Sequence, residues 1–268
     1  MFPQLFAIEW TRLTRRALFW LSLTAVILFT GYSQRYYYTA NVARLFNGDL
    51  AMPGFSFDLA TALDQVMLIA QPLLIVMTAV VLGSDYTQRT THHWLMRTSR
   101  PASLMSKFTL LALITFLIHI LAFLVGGGIG WYVKSQTFQT FSLANVNWLA
   151  TLAAPIYMTL VTLPYLAFTL LITVASRSTI AGIVVGLGYT QFMETMLSRL
   201  FAGLDWTRWL MYNLYLSATY LLNGIGNQTV SVPPHLHRSV PALVIAAAYT
   251  LILLALGIGL FNRQDVGG

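Results

Sequence analysis

The chain has 268 residues, of which 57% are hydrophobic and 9% charged, with a formal net charge of +7 and no cysteine. A soluble globular surface takes about 25% charged residues, so a water-exposed domain is excluded, and the mean hydropathy of +0.69 agrees. Disulfide frameworks and thiolate metal sites are excluded as well, and positive charge scattered between apolar runs argues for membrane topology and against a nucleic-acid partner.

In chain order, residues 2–16 come first. Phe2, Phe6, Trp10 and Leu13 recur at helical spacing, with Arg12, Arg15 and Arg16 on another side. That pattern suits a helix lying along the headgroups. Ile8 and Glu9 interrupt it, and a helix that simply extends the first span is the other reading. No small-residue cleavage site closes the first apolar run, so a retained span is expected there.

A spanning helix needs about 20 apolar residues. Six stretches qualify, at about 17–32, 65–82, 108–133, 148–175, 179–197 and 240–261. Pro72, Pro155 and Pro164 fall inside these stretches; spanning helices tolerate such kinks because neighbours satisfy the freed backbone groups. The predicted fold is all-α, a single polytopic domain over 1–268.

The connections differ in charge. One side carries Arg12, Arg15, Arg16, Arg89, Arg97, Arg100, Lys107, Arg177 and Arg263; the other carries Arg35, Arg44, Lys134, Arg199, Arg208 and Arg238 over a longer stretch of chain. The positive-inside bias places both termini in the cytoplasm.

Residues 83–107 are the most polar segment, with Asp85, Arg89, His92, His93, Arg97, Arg100 and Lys107. Pro101 suits the first turn of a helix. Two readings stay open here: a docking surface for a cytoplasmic partner, or a solvated loop. Adjacent His92 and His93 diverge on a helix, and His235 with His237 lacks acidic company, so no metal site is expected. Residues 199–240 hold Trp206, Trp209, Tyr212, Tyr215 and Tyr220. Aromatics of this kind favour the membrane interface, so one or two short helices on or dipping into the outer leaflet are expected, with a packed extracellular loop as the alternative.

Within or near the spans the ionisable groups are Glu194 and His119. Each is a candidate for a translocation path, because intramembrane charge is costly and tends to be functional. The plainer readings are an interfacial carboxylate that reaches water and a neutral buried imidazole. No zinc-protease, serine-hydrolase or phosphate-loop motif is present, so any energised work draws on another chain.

Three features together resemble the permease subunits of bacterial ABC transporters of the type-two export family. One is the start, with Glu9, Arg12 and Arg16 before the first span. A second is the order Asp85, Arg89-Thr90, Trp94-Leu95, Ser99-Arg100 and Lys107 after the second span. The third is the tail Phe261-Asn262-Arg263-Gln264-Asp265-Val266. Asp85 stands where that family usually has Glu, and Thr90-Thr91 where Gly-Thr is more typical.

The resemblance implies a non-enzymatic transport subunit in the bacterial plasma membrane. It would pair with a second permease, identical or homologous, and dock on two copies of a cytoplasmic ATPase that bind the ATP and magnesium. Asp85, Arg89, Thr90, Trp94, Arg97 and Arg100 would form the coupling helix. The segment 203–222 would be re-entrant, and the cargo amphipathic, lipid-like, drug-like or peptidic. A non-transporting anchor or sensory subunit and a lipid-modifying enzyme are the competing readings.

Overall fold

The computed structural model describes residues 2–47, 54–87, 100–139, 146, 148–201, 204–226, 236 and 239–264. Among these there is no strand. Helix α1 is Phe2–Thr14, α2 Ala17–Phe46, α3 Phe55–Thr87 and α4 Arg100–Val133, the last continued by a wide π turn, Lys134–Phe138. Helix α5 is Trp148–Ser176 and α6 Thr179–Leu187, which runs through a second π turn, Gly188–Met193, into α7, Glu194–Leu200. A 3₁₀ turn, Asp205–Trp209, precedes α8, Met211–Gly226, and α9 is Ser239–Arg263.

Six helical stretches are long and apolar enough to cross a membrane. That is the make-up of a multi-pass membrane protein, since an α-helix satisfies its backbone polar groups within itself. The expectation of six spans is met, with longer helices than predicted. Helix α2 runs on to Phe46, α3 begins at Phe55, and the third span reaches Phe138. Hydropathy stopped short because these ends carry Arg35, Asp58 and Lys134. The helix continues past the apolar stretch because neighbouring helices pack against its polar extension.

Helix α1 does not extend α2. Arg16 between them is extended, at φ −85° and ψ 131°. Leu5 and Leu13 are buried, and Phe6 and Trp10 pack against the core, so the apolar stripe of α1 is spent on the bundle, mainly on α4.

The bundle is layered around α3 and α5. Of the most apolar window of each span, 67% is buried for α5 and 61% for α3, against 22% for α9. Water gives no reason for apolar helices to associate within lipid, so contact rests on close packing of small residues and satisfied polar groups. In α5 the hydroxyls of Thr159, Thr162, Thr169 and Thr173 each donate to the carbonyl four residues back, at 2.6–2.8 Å. This lets a polar helix face sit inside the bundle.

Because the spans alternate in direction, α1, the end of α3, the start of α4 and the end of α9 share one end of the bundle, here the terminal end. The opposite, far end gathers the end of α2, the start of α3, the end of α4 and the 3₁₀ turn.

Candidate functional site

Three distant parts of the chain meet at the terminal end. Lys107, in the second turn of α4, places Nζ 2.9 Å from Glu9 Oε1 on α1 and 2.9 Å from Asp85 Oδ2 near the end of α3. Its side chain is 5% exposed, while Glu9 and Asp85 keep 13% and 20%. One ammonium therefore serves two carboxylates that both touch solvent. Arg12 reaches Glu9 at 3.5 Å.

Arg16 ties the α1–α2 joint to the same helix end. Its guanidinium donates to the Val80 carbonyl at 3.2 Å and to Ser84 Oγ at 2.9 Å, where a cation also complements the negative end of the helix dipole. The tail closes the far side of this cluster. Tyr86 donates its hydroxyl to Gln264 Oε1 at 3.1 Å, and Gln264 Nε2 donates to the Val174 carbonyl at 2.6 Å. Val174 lies in the last turn of α5, whose carbonyls have no partner within the helix. Residues singled out from the start, the 83–107 segment and the tail thus contact common helix ends.

Of the predicted docking residues, Asp85 belongs to this cluster and Arg100 begins α4. Arg89, Thr90, Trp94 and Arg97 lie outside the described residues. The cluster is the frame from which that segment leaves α3 and returns to α4.

The far end holds a polar centre that sequence reasoning missed. Asp58 is fully buried and Lys134 is 3% exposed, with Nζ 2.5 Å from Oδ2. Tyr38 donates its hydroxyl to Asp58 Oδ1, and Gln34 Nε2 approaches the same oxygen at 3.4 Å. Helices α2, α3 and α4 are joined through one carboxylate. Gly130 makes room for it: a Cβ there would lie 2.3 Å from Asp58 Oδ2. Hydropathy alone leaves Asp58 and Lys134 outside the predicted spans at 65–82 and 108–133. The available signal was spacing, since Gln34 and Tyr38 are four apart, as are Gly126, Gly130 and Lys134, so each set shares a helix face.

Glu194 is fully buried, which corrects the expectation that it reaches water. It follows the π turn directly, a feature frequent at functional sites. Its carboxylate lies near the backbone of Met211 and Tyr212, in the first turn of α8. Among the described residues, no hydrogen bond closes on either oxygen. Charge at the start of α8 favours a carboxylate there. Close by, Ser198 donates to Asn213 Oδ1 and Asn213 to the Thr207 carbonyl, both at 2.7 Å. Tyr215 on the same helix donates to Asp64 Oδ1 of α3 at 3.0 Å. Together these contacts fix α8 inside the far half of the bundle.

His119 is a buried imidazole, as its plainer reading had it. Its Nδ1 lies 3.2 Å from Thr159 Oγ1 and its Nε2 3.3 Å from Met67 Sδ. Among the described residues, no group of three or more His, Asp or Glu side chains is placed to hold a metal ion.

Residues 21–267 match the family model described as protein of unknown function (DUF2705), and the chain belongs to that family. No curated protein matches it.

Proposed function

We propose that this DUF2705 member is the membrane-spanning permease subunit of an ATP-driven ABC exporter, coupled at its terminal end to a separate cytoplasmic ATPase. The observation that carries this reading is the meeting of Glu9, Asp85, Lys107 and Gln264 at one end of six apolar helices. A partner that pushes on the 88–99 segment would move α3 and α4 together, because Lys107 bridges them, and would move α1 with them.

In this scheme two permease subunits pair in a bacterial plasma membrane, with both termini cytoplasmic. Helix α1 sits at the level of the inner headgroups with its apolar stripe against the bundle, the segment joining α3 to α4 carries the ATPase contacts, and α8 is re-entrant from the outer side. Two ATPase copies bind ATP and magnesium. Their cycle shifts the bundles between states by contacting one state better than the other. The outward apolar faces of α2, α6–α7 and α9 are available for lipid or the second permease, and an amphipathic cargo passes between the subunits. Glu194 and His119 are enclosed by their own chain, so a path between subunits would engage Glu194 only if α8 moves.

Co-expression with the candidate ATPase tests the reading. The two should co-purify, and the permease should raise ATP turnover. Arg89→Ala, Trp94→Ala and Arg100→Ala should abolish that rise while leaving membrane insertion intact. Unchanged coupling in all three, or reporter fusions showing residues 85–100 outside the cell, would refute the scheme.

A further inference from the structure

Toward the far end, residues of α2 and α4 line a cavity of about 390 Å³. Its walls include Arg35, Tyr38, Thr39, Ile129, Tyr132 and Phe138. This volume falls in the range of small-molecule sites. Its one charged wall residue is Arg35, which is exposed. The guanidinium has no carboxylate or hydrogen-bond acceptor among the described residues, whereas the nearby Lys134 is committed to Asp58. Arg35 is therefore the one formal charge on the cavity wall, and it is free to take an anion.

Depth and shape narrow the ligand. Tyr32 and Tyr36 stack at 6.1 Å between ring centres, and Trp131 and Tyr132 are exposed on α4. Aromatic residues gathered like this mark a membrane–water interface. Leu28, Tyr32, Arg35, Thr39 and Val42 follow at i, i+4, i+7, i+11 and i+14, one face of α2. Leu28 and Tyr32 are exposed toward the middle of the bundle. A cationic cavity at headgroup level thus opens onto an exposed apolar stripe.

We propose that this cavity is a binding site for an anionic phospholipid, with the phosphate on Arg35 and Thr39 and the acyl chains along Leu28 and Tyr32. The buried floor is Tyr38, whose hydroxyl is engaged by Asp58, so the floor is rigid and only the rim adapts. Charge complementarity between a phosphate and the unpaired Arg35 selects this occupant over a neutral one. The site stands independently of the export reading, because it needs neither an ATPase nor a second permease.

The test is native mass spectrometry of the full chain, delipidated in detergent and titrated with phosphatidylglycerol. The wild type should retain one tightly held lipid. Arg35→Ala should weaken retention roughly tenfold, the scale of losing one charge-assisted contact. Thr39→Trp, an exposed position that fills the cavity and keeps the charge, should weaken it as well. Both variants should keep the helical circular dichroism and elution of the wild type. Equal retention in all three proteins would overturn the proposal. So would displacement by millimolar inorganic phosphate, which would make the site one for a free anion. Cross-links from Tyr132→Cys to a second copy that persist in excess lipid would also overturn it, since another chain would then fill the cavity.

Discussion

The two ends of the bundle use the same chemistry, an ammonium and a carboxylate, in opposite settings. At the far end Lys134 and Asp58 are sealed between three helices, and Tyr38 and Gln34 attend the second oxygen. At the terminal end Lys107 is shared between Glu9 and Asp85, which both reach solvent. Removing a partner from a sealed pair leaves a buried charge uncompensated, whereas a solvated pair has water to replace what it loses. The far end is therefore built to hold its shape. The terminal end keeps its carboxylates within reach of water.

That contrast can be broken by substitution. The largest effect belongs to Asp58→Ala, which strands Lys134 in the bundle and should cost about 3–5 kcal/mol. Thermal unfolding in detergent would show it, and adding Lys134→Met should restore most of the loss. Gly130→Ala comes next, because its new Cβ meets Asp58 at 2.3 Å and must push α4 from α3. Overpacking of this kind costs about 1–3 kcal/mol, read from the same unfolding curves. Glu9→Gln should cost only about 1 kcal/mol, since Lys107 keeps Asp85 and water reaches the site. A loss at Glu9 as large as that at Asp58 would erase the distinction between the two ends. The smallest effect is ionic strength. Going from 0.1 to 1 M salt shortens the screening length from about 10 to 3 Å, so amide exchange in α1 should quicken while that of α3 near Asp58 stays constant.

Glu194 offers a finer comparison with Asp58. Both are fully buried carboxylates on spanning helices, yet only Asp58 has a cation. Glu194 faces the first turn of α8 instead. Glu194→Gln should leave the α2–α3–α4 corner intact and loosen α8, seen as faster exchange over 211–219.

Much of the fold was legible beforehand. Six spans, the separate amphipathic start and short helices in 199–240 all follow from long apolar runs and their aromatic punctuation. The residues of the terminal cluster were also picked out, as Glu9, Arg12, Arg16, Asp85 and Lys107 stand out against an uncharged background. Their mutual contact was not legible, since no local pattern states that position 9 meets position 107. The far-end centre escaped because hydropathy treats a charged residue as the end of a span. Asp58 and Lys134 look like loop residues until each is seen to neutralise the other.

Sequence by itself determined that this chain is helical, crosses a membrane and carries its charge mostly at one set of turns, because hydrocarbon demands long runs without unpaired polar groups. Only the tertiary structure decided which charges are sealed and which stay wet, because burial and pairing depend on which helices lie side by side.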